Sequence, residues 1–279
     1  MPKPNHAPGA DLPDIAANPL DVVVDRRRDS AIELVRRAVA AGDVLLAFQP
    51  VIQARPPFDV GFYEGLIRVM DPNRRVIPAR DFMAAVEDTE LGRQLDCAAL
   101  RLGMRALEMN PGLRLSINLS ARSIGYKPWR RTFDRFLARD ARLGERLVLE
   151  ISQASAMRVP ELVACFMDEL QPHGVAFALD DFGASDIAIR HFRQMLFDLV
   201  KIDGTFVRGI DRDGDAQALT QALVAMARAL DMGVVAVSVE SRDEAEILRR
   251  LGVDCLQGYA FGAPSVRPPW LDGGDAQVA

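Results

Sequence analysis

The chain has 279 residues, of which 49% are hydrophobic and 26% charged, an ordinary composition for a globular protein. Its net charge of −5 argues against binding to nucleic-acid polymers, which usually need a basic surface. Its three separated cysteines, without a CxxC or His/Cys cluster, indicate neither a zinc site nor a disulfide framework. The sequence contains no run of about 18 apolar residues, which is the length that indicates a membrane-spanning helix. We therefore expect a cytoplasmic protein.

The chain divides into three parts. Residues 1–29 are rich in proline and charge, and we expect them to form a flexible leader. Asp29 and Ser30 are suited to cap a helix that ends near Gly42. The main domain is predicted to span residues 30–265, and residues 266–279 to form a C-terminal tail.

Within the main domain, short apolar runs rich in β-branched residues alternate with amphipathic stretches of helical length. This alternation predicts an α/β fold, and eight such runs predict a TIM-like (β/α)8 barrel. The link between the first two runs, residues 53–59, is too short for a helical crossover, so one strand near the N-terminus is predicted to be antiparallel. The predicted strands are residues 44–51, 61–69, 113–119, 147–151, 175–179, 199–202, 234–239 and 255–261, and the predicted helices include residues 133–143, 161–171, 216–231 and 243–251.

Acidic or carboxamide side chains stand at the ends of almost every predicted strand. In a barrel these ends meet at one face, where active sites are built. Converging carboxylates repel one another unless cations hold them together, and oxygen-only ligands favour Mg²⁺, Mn²⁺ or Ca²⁺ over zinc. The sequence therefore predicts an acidic metal site at the barrel mouth, with Arg68 and Lys201 available for phosphate.

The order of these strand-end motifs resembles that of the EAL family of cyclic-di-GMP phosphodiesterases. The similarity covers roughly residues 43–265. The motifs that carry it are Phe48-Gln49-Pro50, Glu64-Gly65-Leu66-Ile67-Arg68, Val76-Ile77-Pro78 with Phe82 and Glu87, Asn118-Leu119-Ser120, Leu149-Glu150-Ile151-Ser152, Asp180-Asp181-Phe182-Gly183, Lys201-Ile202-Asp203 and Gln257-Gly258-Tyr259.

The resemblance implies a cyclic-di-GMP site with bound Mg²⁺ or Mn²⁺. It gives metal-ligand positions to Glu64, Asn118, Glu150 and Asp180, with Asp181 at a second metal. It gives ligand-binding positions to Gln49, Glu64, Leu66, Arg68, Asn118, Asp180, Lys201, Glu240 and Gln257.

The chain departs from the family pattern at its catalytic base. Val237 stands where the family keeps the glutamate that activates water and supports the second metal, although Lys201 and Asp203 are retained. A valine neither accepts a proton nor ligates a cation, and losing a general base typically costs about 10²–10⁴-fold in rate. Two more departures flank the second-metal side, Gln153 in place of a glutamate and the loop Ala184-Ser185-Asp186-Ile187.

Three functions are compatible with this pattern. The first is an inactive, degenerate domain that acts as a cyclic-di-GMP receptor in bacterial second-messenger signalling. The second is a protein-interaction domain that no longer binds nucleotide and whose partner is a regulatory or motility protein. The third is a slow phosphodiesterase, making pGpG, in which Asp203 or Glu240 replaces the base. The resemblance also implies that a homodimer can form, although the changed loop puts it in doubt.

Overall fold

The structure is a computed structural model that describes residues 19–186 and 189–271. Eight of its nine strands in these residues close into a barrel, and the ninth, short β3, pairs with the edge of β2. The strands are β1 (Val44–Gln53), β2 (Val60–Met70), β3 (Val76–Pro78), β4 (Leu115–Asn118), β5 (Leu147–Ser152), β6 (Ala176–Phe182), β7 (Leu199–Ile202), β8 (Gly233–Ala236) and β9 (Cys255–Leu256). The helices are α1 (Pro19–Ala41), α2 (Met83–Val86), α3 (Glu90–Met109), α4 (Lys127–Leu137), α5 (Gln153–Arg158), α6 (Pro160–Leu170), α7 (Gly214–Ala229) and α8 (Arg242–Arg250).

Strand pairing confirms the predicted barrel and its antiparallel strand. β1 runs antiparallel to β2 on one side and to β9 on the other, whereas the pairs from β2–β4 to β8–β9 are parallel. Gln49 lies opposite Glu64 and Phe48 opposite Gly65. Because side chains alternate along a strand, Gln49 and Glu64 share the inner face while Phe48 lies on the outer face.

The core has two layers. The outer faces of the strands pack against the helices in two clusters: the larger includes Leu149, Phe177 and Val200, all inaccessible to solvent, and the second packs β1 and β2 against α1 and α3 through residues that include Leu46 and Leu95. The barrel interior holds a smaller plug of Val51, Phe62 and Val235. Burying side chains of this size stabilises the fold by about 1.5–3 kcal/mol each.

Regular structure extends beyond both ends of the predicted main domain, residues 30–265. Helix α1 begins at Pro19 and not near residue 29, which agrees with the preference of proline for the first helical position. At the other end Pro269–Leu271 forms a 3-10 turn, and the Trp270 ring packs edge-on against Phe48 and Tyr63, with centroids 5.1 and 4.6 Å away. The remaining parts of the predicted leader and tail, residues 1–18 and 272–279, lie outside the described residues.

Several predicted elements have different bounds, among them β8, β9 and α4. Strand β8 ends at Ala236 and not at residue 239, because Ser238 takes a positive φ of 62° that no extended strand continues through. Strand β9 ends at Leu256 and not at residue 261. Helix α4 begins six residues before the predicted start, with Pro128 in its first turn. Across the described residues, no helix is long and apolar enough to cross a membrane.

Candidate functional site at the barrel mouth

The carboxyl ends of the parallel strands and the facing part of the β1–β2 pair bring the predicted polar residues to one cleft. Register places Gln49 opposite Glu64 and Asn118 opposite Glu150, so their side chains enter the barrel at the same level. The cleft has a volume of about 490 Å³. Its lining includes the predicted residues Gln49, Glu64, Leu66, Arg68, Asp180, Asp181, Lys201, Val237, Glu240 and Gln257.

Lys201 lies at the centre of the acidic residues. Its ammonium donates hydrogen bonds to Glu150 Oε2 at 2.6 Å and Glu64 Oε2 at 2.8 Å, and lies 3.7 Å from Asp180 Oδ1. Burial disfavours the charged lysine, but the attraction of the three carboxylates outweighs it and raises the pKa of Lys201 well above its usual value. The lysine is therefore the counter-ion of this acidic cluster.

Two carboxamides fix the orientation of Glu64. Asn118 Nδ2 donates to Glu64 Oε1 at 3.0 Å, and Gln257 Nε2 donates to Glu64 Oε2 at 2.6 Å. Gln257 Nε2 also lies 3.1 Å from Gln49 Oε1, and Gln49 Nε2 donates to the carbonyl of Gly262. Burial acts to raise the pKa of Glu64, but the charge of Lys201 and these hydrogen bonds lower it below its ordinary value.

The neighbouring acids have raised pKa values. Burial, together with the charge of Glu64, raises the pKa of Glu150 to about 8. Burial likewise raises the pKa of Asp180, and burial beside Asp180 raises that of Asp181 to about 6. Part of the negative charge of the cluster is therefore neutralised by protons as the pH falls through neutrality.

The acidic cluster offers oxygen ligands, which are the type that a hard cation prefers. One of these oxygens, Glu150 Oε1, is buried and accepts no hydrogen bond, so it could ligate one such cation. The arrangement, however, is closed around the Lys201 ammonium. Residues 19–186 and 189–271 contain no group of three or more His, Cys, Asp or Glu side chains placed to hold a metal ion. The second-metal side does not fit a cation either, because Asp181 belongs to no such group and Val237, which cannot ligate, stands where the resemblance expects a glutamate. Metal binding remains a prediction.

The other wall of the cleft carries cations. The half-buried Arg68 donates to the carbonyl of Ile67 at 2.9 Å, and burial, reinforced by the nearby Arg80, lowers the pKa of Arg68. Arg80 and Arg208 also line this cleft, and neither was singled out by the sequence patterns. Their only sequence signal is their position shortly after strand-end motifs.

Of the two candidate substitutes for the base, only one reaches the cleft. Glu240 is exposed and lines the cleft. Asp203 is not among the lining residues; its Oδ1 accepts hydrogen bonds from the backbone N–H and the hydroxyl of Thr205. Asp203 therefore caps the turn that follows β7.

A second cavity of about 340 Å³ adjoins the cleft and shares Glu64, Leu66 and Asp180 with it. Asn118 and Glu150 line it, as does Asp96. Asp96 accepts hydrogen bonds from Ser123 Oγ at 2.6 Å and from the backbone of Ser120, yet burial raises its pKa to about 7. The paired cavities give the barrel mouth an elongated binding surface.

The loop after β6 is tied to the barrel despite its altered sequence. The buried Gln153 donates to Ser185 O and Ser185 Oγ, each at 2.8 Å, and its Oε1 accepts the N–H of Gly183 at 3.0 Å. The side-chain amide of Gln153 thus both donates hydrogen bonds to this loop and accepts one from it. Ile187 lies outside the described residues.

Gly258 follows Gln257 at a point of very close backbone approach. A Cβ atom there would lie 2.0 Å from the carbonyl oxygen of Val239. Only glycine fits against that backbone.

Comparisons with known proteins agree with this geometry. The model of the EAL domain matches residues 32–264. An uncharacterized signaling protein of Caulobacter vibrioides is 30% identical over 262 residues, which cover 92% of this chain and 32% of that protein. The bifunctional diguanylate cyclase/cyclic di-GMP phosphodiesterase MucR of Pseudomonas aeruginosa is 27% identical over 235 residues, 82% of this chain and 34% of MucR. The chain thus spans about a third of the length of these relatives.

Solved structures have the same fold. The MucR phosphodiesterase in complex with c-di-GMP superposes with a TM-score of 0.74 at 26% identity, covering 85% of this chain and 97% of that one. The FimX EAL domain from Pseudomonas aeruginosa bound to c-di-GMP has a TM-score of 0.77 at 24% identity over the same shares. The FimX likeness is one of fold.

Proposed function

Because the chain belongs to the EAL domain family, we propose that it is a cyclic-di-GMP receptor that has lost hydrolysis. One observation carries the proposal: Val237 lines the cleft beside Asp181 and Lys201, where the resemblance expects a catalytic glutamate. Hydrolysis needs a group that activates water, whereas binding needs only complementary contacts. The missing base and the retained cleft residues together agree with a site that binds the ligand but does not hydrolyse it.

The retained residues suit a cyclic dinucleotide. The cleft and the second cavity both fall within the usual range of small-molecule sites, about 300–1,000 Å³. Arg68 and Arg80 offer positive charge for a phosphate, and Gln49 and Gln257 offer amides for polar groups of the ligand. The MucR phosphodiesterase, solved with c-di-GMP, supports this ligand class.

A Mg²⁺ or Mn²⁺ ion is compatible with the receptor but is not needed for it. Glu64, Asn118, Glu150 and Asp180 would hold it, and its charge would offset that of a phosphate. Lys201 already neutralises part of the acidic cluster without any ion.

A slow phosphodiesterase is the runner-up, and the exposure of Glu240 at the cleft favours it over a protein-interaction domain that no longer binds nucleotide. Glu240 would have to act as the base that Val237 cannot provide. A regulatory or motility protein as partner, a homodimer and a cytoplasmic location rest on sequence reasoning alone and stay predictions.

Calorimetric titration of cyclic-di-GMP into the wild type and Arg68→Ala, with Mg²⁺ present, tests the proposal. We expect micromolar or tighter binding that the variant loses, with the nucleotide recovered intact by chromatography. Arg131→Ala, which changes an exposed arginine on α4, is the matched control and should bind like the wild type. Absence of heat at high nucleotide concentration would refute the receptor, and recovery of the linear dinucleotide would favour the slow enzyme.

A further inference from the structure

We propose that Arg208 is a ligand-binding residue, whose guanidinium binds a phosphodiester of cyclic-di-GMP on the Val237 side of the cleft. It takes the place that the resemblance gives to a second metal ion, which the residues there do not fit. This inference rests on the proposed receptor function and adds a residue that the family motifs do not include.

The backbone around Arg208 is held firmly. The N–H of Arg208 donates to the carbonyl of Gly204 at 3.0 Å. Glu244, which is buried in the first turn of α8, accepts the N–H of Gly209 at 2.7 Å through Oε1 and that of Glu240 at 2.7 Å through Oε2. One carboxylate therefore fixes the turn that carries Arg208 relative to the segment between β8 and α8 that carries Glu240.

The side chain is directed by two small residues. Arg208 Nη2 lies 3.4 Å from Ser238 Oγ, and Ser238 is held in the left-handed region with φ 62°. A Cβ atom on Gly204 would lie 2.5 Å from Ser238 Oγ and 3.3 Å from Arg208 Nη2. Gly204 thus leaves the space that the serine hydroxyl and the guanidinium occupy.

The guanidinium is free to bind an anion. In the part of the chain that the structure describes, no carboxylate lies within 4.0 Å of Arg208, whereas Lys201 is engaged by three. Arg208 is exposed and lines the cleft next to Val237 and Ser238. A planar guanidinium can donate two parallel hydrogen bonds to a phosphate, and it does so without any metal.

A phosphate bound on the second-metal side of the cleft needs a positive charge close by. Val237 cannot ligate a cation, and among the described residues Asp181 belongs to no group of three or more side chains placed to hold a metal ion. An anionic phosphate placed near Asp181 and Glu240 would be repelled unless a cation lies close by. Among the described residues, Lys201 also lines the cleft near Val237, but its ammonium is engaged by three carboxylates, which leaves Arg208 as the cation available to a phosphate on this side.

The test is calorimetric titration of cyclic-di-GMP into the wild type, Arg208→Ala, Arg208→Gln and Gly204→Ala. Charge-assisted hydrogen bonds of this kind predict about 10- to 100-fold weaker binding for both arginine variants. Gly204→Ala should also weaken binding, although this substitution removes no protein group that contacts the ligand. Arg212→Ala is the control, because Arg212 is exposed and paired with Asp211.

The outcomes separate this inference from the receptor proposal. Wild-type binding that Arg208→Ala and Arg208→Gln both retain would overturn the inference and leave the receptor standing. A wild type that binds no nucleotide would overturn both. A smaller loss on chelation with EDTA than on Arg208→Ala would support the guanidinium over a metal ion on this side. Unchanged near-UV circular dichroism of each variant shows that the effect is not unfolding.

Discussion

Replacing Lys201 with methionine removes the ammonium that joins the acidic residues at the barrel mouth, while a side chain of similar length still fills its space. The ammonium donates hydrogen bonds of 2.6 Å to Glu150 and 2.8 Å to Glu64, and Asp180 lies 3.7 Å away. Removing one partner of a buried ion pair typically costs about 3–5 kcal/mol, because the remaining charges are left buried and unpaired. In a domain of this size we expect the melting temperature to fall by roughly 6–20 °C.

The pH dependence of this loss gives a second test. Because burial and the charge of Glu64 raise the pKa of Glu150 to about 8, acidification protonates Glu150 and relieves the repulsion. The loss in the free energy of unfolding should therefore be larger at about pH 9 than at about pH 6. Urea titrations of the wild type, Lys201→Met and the exposed-site control Lys127→Met measure it. A Lys201→Met protein as stable as the control at both pH values would refute the counter-ion role.

Three further predictions concern other parts of the molecule. Val237→Glu should gain metal-dependent hydrolysis of cyclic-di-GMP by about 10²–10⁴-fold over wild type, measured as the linear dinucleotide, and Val237→Gln should not; equal rates in the two variants would contradict the base argument. Burial raises the pKa of Asp96 to about 7, so its folded form retains a proton that the unfolded chain releases above about pH 4. Wild-type stability should consequently fall between about pH 4 and 7, by up to about 1.4 kcal/mol per pH unit, and urea titrations of Asp96→Asn should show a flatter profile. Trp270→Ala should cost about 1–3 kcal/mol, since it removes two edge-on aromatic contacts; an unchanged urea midpoint would mean that this turn does not stabilise the barrel.

The barrel could be predicted because its signals are local. Apolar runs marked each parallel strand, and the short link between β1 and β2 required them to be antiparallel. Short β3 gave no such signal, because it has only three residues, none of them buried, and they pair only with the extra length of β2. The packing of Trp270 could not be predicted either, since it depends on Phe48 and Tyr63, about two hundred residues away in the chain.

The candidate site was predicted to a similar degree. Strand-end position was sufficient to bring Glu64, Glu150 and Asp180 together. Strand-end position could not predict that Lys201 donates its hydrogen bonds to those acids, because this depends on how the side chains are arranged inside the barrel. Arg208 was missed because its orientation depends on Ser238 and Gly204, which come from different strand ends.

The close approach at Gly258 affects how a mutational scan of this protein should be interpreted. Any larger side chain there would collide with the Val239 backbone, 2.0 Å from the site of a Cβ atom. A screen for nucleotide binding would thus score every substitution at residue 258 as a loss, as we expect it to do for the proposed ligand contact Arg68. A parallel screen for abundance separates the two, because Gly258 variants should disappear from both screens and Arg68 variants only from the first.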